Sequence, residues 1–282
     1  MIFARDLFDG TKVLVTGAGQ GIGLEVCRQF AQCGATVGLN DLDVQRADRA
    51  AQELSRGLGQ TRVHPCVFDI ANVAATREGI GRFAEQQGGL DVLVANAGIT
   101  NYGPFLSYGE QDLDRLLAVN LRGTYFTCQA AAQQMAARRT RGRILLISSV
   151  CGITAHMNLS AYGMTKAAIS HLARCLALEL GPLGILVNVV APGAILTERT
   201  LQDDPDYEKN WRSVTPNRRA GSVGDVAQLV LFLASPAARH IHGEAIILDG
   251  GWTTYGQLPP AYQAAQDPPE GPSDKEDCRA VQ

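Results

Sequence analysis

From residue 12 to about residue 250, short apolar runs alternate with longer stretches whose apolar positions recur at helical spacing. The short runs predict strands over residues 12–16, 35–40, 63–68, 91–95, 143–148, 186–191 and 244–248, each apolar or rich in β-branched side chains and bounded by Gly, Asp, Asn or Pro. Between them, helical patterns run over 22–32, 73–87, 111–137, 162–180 and 223–233. Strand and helix in strict alternation demand a parallel sheet, and right-handed crossovers then place helices on both of its faces. The expected fold is therefore α/β, a single domain over residues 8–252 built on a doubly wound, seven-stranded parallel sheet of the Rossmann type. Two segments break the rhythm. Residues 194–222 are polar, carry Asp203-Asp204-Pro205-Asp206 and end near Asn217-Arg218-Arg219, so they read as an insertion and a candidate substrate lid. Residues 257–282 turn to Pro, Gln, Asp and Glu, a composition too poor in apolar side chains to offset the entropy of ordering, and are expected to be a disordered tail.

Composition narrows the function by exclusion. Apolar residues at 46%, charged residues at 19% and a net charge of −3 describe a globular chain with no basic patch, so no nucleic-acid partner is expected. The start lacks a positive segment followed by a long apolar core, and no run of about 18 apolar residues occurs, so neither a leader nor a membrane span is expected and a cytoplasmic setting is. The seven cysteines are odd in number and scattered without a Cys-x-x-Cys pair, which reads as reduced core thiols, with no disulfide and no metal site.

Two local patterns carry chemistry. The first strand runs into Thr16-Gly17-Ala18-Gly19-Gln20-Gly21-Ile22-Gly23 and then a helix, a context in which backbone N–H groups can meet a pyrophosphate. Asp41 closes the second strand about 20 residues later, where a carboxylate accepts hydrogen bonds from adenosine ribose hydroxyls and repels a 2′-phosphate; Asp43 is the competing choice. Gln20 offers no cation and Arg46 is expected on a helix surface, so NAD is favoured over NADP. The second pattern is Tyr162-Gly163-Met164-Thr165-Lys166, whose four-residue spacing puts a phenol and an ammonium on one helix face.

Taken with Ala95-Asn96-Ala97-Gly98 and Ser149, these motifs resemble the short-chain dehydrogenase/reductase family over residues 8–252; the fourth-strand motif departs only in carrying one Asn where the family often has two. The resemblance implies catalytic roles for Asn120, Ser149, Tyr162 and Lys166. Ser149 would hold the substrate oxygen, and its thirteen-residue interval to Tyr162 selects it over Ser148. Asn120 would anchor a water that links Lys166 to solvent. Lys166, along with the positive nicotinamide ring, would lower the Tyr162 phenol toward a useful base, and it would reach the cofactor ribose. It further implies that Gly17, Gln20, Gly21, Ile22, Gly23, Asp41, Asn96, Gly98, Tyr162 and Lys166 line the cofactor, that Asp69 and Ile70 receive the adenine, and that Pro192, Gly193, Ile195 and Thr197 wrap the nicotinamide. A homotetramer or homodimer is implied as well.

Substrate contacts in such a fold come from loops beyond the strand carboxyl ends, here 99–105, 151–159 and 194–220. Thr100, Tyr102 and above all Asn101, His156 and Asn158 suit a small polar molecule, which points to a secondary alcohol of a sugar or polyol. The competing reading is a 3-oxoacyl-[acyl-carrier-protein] reductase, with Arg138-Arg139-Thr140-Arg141 as the patch for an acidic carrier. A catalytically silent NAD-binding sensor would be expected to lack part of the Asn, Ser, Tyr, Lys set, and an epimerase or dehydratase would need a separate substrate domain.

Overall fold

The strands follow from an alternation within their apolar runs. Val13 and Val15 point to one face of the sheet and Leu14 to the other; Val92 and Val94 oppose Leu93, and Leu145 and Ile147 oppose Ile144 and Leu146. Because both faces are covered, these successive positions are all apolar, which is why the runs read as continuous. In the computed structural model, which describes residues 2–58 and 62–254, the strands are β1 (Lys12–Val15), β2 (Thr36–Asp41), β3 (Val63–Val67), β4 (Val92–Ala95), β5 (Arg143–Ile147), β6 (Leu186–Pro192), β7 (Ile195–Leu196), β8 (Gly221–Ser222) and β9 (Ala245–Leu248). Seven of these form one parallel sheet in the order β3-β2-β1-β4-β5-β6-β9. The tail at 257–282 lies outside the described residues.

Helices α1 (Gly21–Gln32), α2 (Val44–Leu58), α3 (Val73–Gln86), α4 (Glu110–Leu117), α5 (Thr124–Ala137), α6 (Ser160–Leu180), α7 (Glu198–Asp203), α8 (Tyr207–Val214) and α9 (Val223–Ala234) complete the fold. One core layer joins α1, α2 and α9 to the sheet through Val26, Phe30, Leu54 and Leu231; the other joins α3, α5 and α6 through Ile80, Phe83, Met135 and Ile169. Fully burying each such side chain is worth about 1.5–3 kcal/mol. The predicted helix over 111–137 is interrupted: α4 and α5 are separated by a π-helical turn, Ala118–Gly123. The cause is tertiary. Asn120 is fully buried and both polar atoms of its amide bond to the Ile99 backbone, while Gly123 passes so close to Ile70 that a Cβ there would sit 2.9 Å from its carbonyl oxygen. Such turns within a helix are frequent at functional sites. Helix α2 is additional to the predicted helices; apart from Leu54 its buried side is made of Ala47, Ala50 and Ala51, which mark the helical period weakly.

The polar insertion has structure of its own. β7 and β8 pair through Ile195 with Gly221 and Leu196 with Ser222, closing the base of an excursion that holds α7 and α8. Among the described residues no helix is long and apolar enough to cross a membrane. Cys27 and Cys128 are core thiols, and burial pushes Cys128 up to about 12; Cys278 lies outside the described residues. The chain runs β1, β2, β3 outward in one direction and returns at β4 beside β1, so the strand order reverses between β1 and β4. A crevice opens beyond the carboxyl ends at such a reversal.

Candidate active site

A cleft of about 590 Å³ occupies that crevice. At one end lies the glycine-rich loop. Gly17 adopts φ +60°, and a Cβ on it would lie 2.7 Å from the Cα of Ala97, so loop and β4 touch backbone to backbone. Asn96 locks this contact: its Nδ2 donates to the carbonyls of Thr16 and Gly17 at 2.9 Å each, while the Thr16 hydroxyl accepts from the Asn96 and Ala97 N–H groups at 3.1 Å. Asn40, buried and overlooked by sequence reasoning, holds the other side, accepting from the Gly17 N–H at 3.3 Å and donating to the carbonyls of Cys66 and Phe68. Helix α1 then starts at Gly21 with no side-chain cap on Gln20, which leaves N–H groups of its first turn for an anion.

Asp41 ends β2 almost buried. Its carboxylate accepts from the N–H groups of Gly19 at 3.2 Å and Asp43 at 3.0 Å, and from Arg46 at 3.1 and 2.8 Å. Burial alone would raise this carboxyl, but the Arg46 guanidinium and the two N–H groups outweigh it and hold it below the usual range. Arg46 is thus no plain helix-surface residue, as the sequence suggested: a Cβ on Gly19 would come within 2.7 Å of its side chain, so it packs over the loop beside Asp41. Asp69 follows β3 and accepts from the Ala71 N–H at 2.9 Å; the Ile70 side chain is buried in the core. Gly17, Gln20, Gly21, Ile22, Asn96, Gly98, Pro192, Gly193, Ile195 and Thr197 all line the cleft, whereas Gly23 packs under the loop, where a Cβ would lie 2.7 Å from the Gly17 oxygen. A cradle too tight for side chains, an uncapped helix start and a nearly buried carboxylate fit a dinucleotide.

At the other end Ser149, Tyr162 and Lys166 converge. Ser148 is spent on structure: its hydroxyl donates to the Lys166 carbonyl at 2.7 Å and accepts from Ser170 at 3.1 Å. Ser149 accepts from the Cys151 N–H, at 3.2 Å, and lines the cleft. Lys166 is 4% exposed, its ammonium donating to the Ile147 carbonyl at 2.9 Å and lying 5.5 Å from the centre of the Tyr162 ring. The fold's own side chains, without the nicotinamide ring that the expectation counts beside Lys166, set both groups by burial. Burial pushes the Tyr162 phenol up to about 12, only partly offset by hydrogen bonds with Thr100 and Ser149, and burial pushes Lys166 down to about 8. Asn120 stands behind Lys166: a Cβ on Gly98 would lie 3.3 Å from its Oδ1 and 3.4 Å from the Lys166 Nζ. Its side chain also donates to Thr165 at 3.3 Å.

Of the predicted substrate contacts, Thr100, Tyr102 and His156 line the cleft. Asn101 turns away to donate to Asp112 at 3.0 Å, and Asn158, at φ +63°, sits outside, its carbonyl accepting from the Gly103 N–H at 3.0 Å. In their place stand Met157, Tyr207, Trp211 and Trp252, with Cys151 beside Ser149. The one signal for them in the sequence was aromatic residues set in otherwise polar loops. Among the described residues no group of three or more His, Cys, Asp or Glu side chains is arranged to hold a metal.

Comparison with known proteins agrees with this geometry. The family described as enoyl-(acyl-carrier-protein) reductase matches residues 17–253. A galactitol 2-dehydrogenase (L-tagatose-forming) from Cereibacter sphaeroides is 36% identical over 88% of this chain and 96% of its own length. A 3-oxoacyl-[acyl-carrier-protein] reductase from Aquifex aeolicus is 35% identical over 86% of this chain and 97% of its own. Among solved structures, a gluconate 5-dehydrogenase from Burkholderia cenocepacia, in complex with NADP and tartrate, superposes with a TM-score of 0.83 at 35% identity, covering 89% of this chain and 99% of that one.

Proposed function

The chain belongs to the short-chain dehydrogenase/reductase family, an oxidoreductase acting between CH–OH and C=O, and on that premise we propose that it oxidises a secondary alcohol of a sugar or polyol with NAD. One observation carries the reading: Ser149, Tyr162 and Lys166 face a single cleft whose far end is the glycine-rich cradle. Bound nicotinamide supplies the hydride acceptor. Ser149, whose hydroxyl hydrogen is not committed to the backbone, orients the substrate oxygen. Tyr162 takes the hydroxyl proton, and Lys166 steadies the phenolate and passes the proton onward past Asn120. Water is kept back by the excursion carrying α7 and α8, the candidate lid.

The preference for NAD rests on Asp41, whose buried carboxylate disfavours a 2′-phosphate; Arg46 tempers it by neutralising part of that charge. Asp41→Ala is expected to lower the NAD-over-NADP ratio of kcat/KM by about tenfold or more, the cost of one charge contact of about 1.4 kcal/mol, and Arg46→Ala to raise it. An unchanged ratio in both variants would refute the assignment.

The reductase reading has a 35% identical relative behind it, but the arginine run does not add to it. Arg138, Arg139 and Arg141 are exposed, but they follow the end of α5 and lead into the start of β5, at the amino-terminal ends of the strands and opposite the cleft. A carrier docked there would leave its thioester far from Tyr162. Tyr125, Met164 and Leu178 leave exposed apolar surface on α5 and α6, which supports assembly with further copies of the chain. A screen following NADH absorbance with sugars, polyols and 3-oxoacyl thioesters tests the function: turnover of the thioesters alone would overturn it.

A further inference from the structure

The substrate end of the cleft is an aromatic corner. Trp252 lies flat against His156, with ring centroids 5.1 Å apart at 14°, and meets Trp211 edge-on at 5.0 Å and 82°. Tyr207 stands 5.9 Å from Trp211. Three separated segments supply these rings: the loop after β5, helix α8, and the turn after β9. His156 is also held by the Thr154 hydroxyl at 3.0 Å from its Nε2, so the surface on which Trp252 rests is fixed. All four rings line the same cleft as Ser149 and Tyr162.

We propose that this corner selects a sugar in its closed-ring form over an open-chain polyol, an inference that rests on the sugar reading above. A closed sugar ring with equatorial hydroxyls carries them around its rim and leaves two flat C–H faces, which match an indole face in area and polarity. An open polyol carries hydroxyls along both sides of its chain, and laying it on tryptophan would bury some of them without partners. Large amphipathic aromatics with a polar N–H at one edge suit a ligand that is apolar on its face and wet at its rim. The corner sets the ring's orientation; Ser149 and Tyr162 then meet one hydroxyl. In the oxidation the carbon bearing that hydroxyl gives a hydride to the oxidised nicotinamide, and the hydroxyl proton goes to Tyr162. Two electrons and two hydrogens leave the sugar, a C=O forms and the ring stays closed, giving a ring ketone or, from an anomeric carbon, a lactone.

The chain has two tryptophans, and both are in the corner, so intrinsic fluorescence reports on it alone. D-Glucose and D-galactose should shift the emission saturably, with and without NAD, whereas glucitol and galactitol at the same concentrations should not. In turnover, wild-type kcat/KM should favour the pyranoses by about tenfold or more, and Trp252→Leu should raise KM for pyranoses about tenfold while leaving kcat within about twofold. Trp252→Phe, which keeps a flat ring, should recover most of that loss. Alditols oxidised as well as or better than pyranoses, equal losses for both series in Trp252→Leu, or no fluorescence response to pyranoses would overturn the inference. Alditol oxidation alone would leave the broader sugar or polyol reading standing; activity confined to non-carbohydrate alcohols would remove both.

Discussion

Tyr162→Phe is expected to cut turnover by about 10²–10⁴ while leaving dinucleotide affinity within about twofold, since positioned general acid–base catalysis contributes on that scale. The substitution keeps the ring and its packing and removes one oxygen, the only atom through which this side chain can take a proton. Cofactor titration alongside steady-state rates checks it, and a variant that turns over normally would sink the mechanism. The pH profile sharpens the test. In the free protein burial holds the phenol up at about 12 and the ammonium down at about 8, so the first proton to leave, near 8, comes from Lys166. Oxidation needs a site that has given up a proton, so kcat/KM in that direction should rise as pH increases through about 8 and level off above it. Reduction needs the proton present and should fall through the same range. In Lys166→Met the raised phenol is what remains of the pair, and the oxidative rise should move up toward its value; an inflection that stays near 8 would show that another group is responsible.

Much of this site was legible before the fold, and the reason is local. Tyr162 and Lys166 share a helix face by spacing alone, and the glycines of the loop mark a strand-to-helix turn because no other residue permits its backbone contacts. The strands were legible because both sheet faces are buried, so Val13, Leu14 and Val15 are apolar whichever way they point. What stayed hidden depends on contacts distant in sequence. Spacing places the ammonium near the phenol, but only the fold shows it donating to Ile147 in a desolvated pocket, and shows the phenol itself buried, which raises it. The amides of Asn101 and Asn158 looked equally available, yet one is claimed by Asp112 and the other sits in a turn outside the cleft. Trp211 and Trp252, 41 positions apart, gave no sign of meeting until α8 and the turn after β9 were brought together. Arg46 likewise reads as a surface cation because its partner Asp41 belongs to the preceding strand.

Gly17→Val is the second large effect expected, and it separates a steric role for the loop from a merely flexible one. Two costs combine at this position. A β-branched residue at φ +60° is strained by about 1–3 kcal/mol, and its Cβ would fall 2.7 Å from the Cα of Ala97, where backbone meets backbone and another ~1–3 kcal/mol of overpacking follows. The loop cannot relieve the contact without breaking the hydrogen bonds from Asn96 to the Thr16 and Gly17 carbonyls or the one from the Gly17 N–H to Asn40. Any such shift turns the uncapped start of α1 away from the cleft, so NAD affinity should weaken by about hundredfold, equivalent to about 2.7 kcal/mol, with a lower melting temperature alongside. Gly10→Ala supplies the control. Gly10 has a similar φ, +71°, but nothing lies within 4 Å of its Cβ position. That variant bears the backbone strain alone, so it should lower stability slightly and leave NAD affinity unchanged. If both variants lost stability and neither lost affinity, the loop would be holding its shape without holding a pyrophosphate, and the cofactor end of the cleft would have to be sought elsewhere.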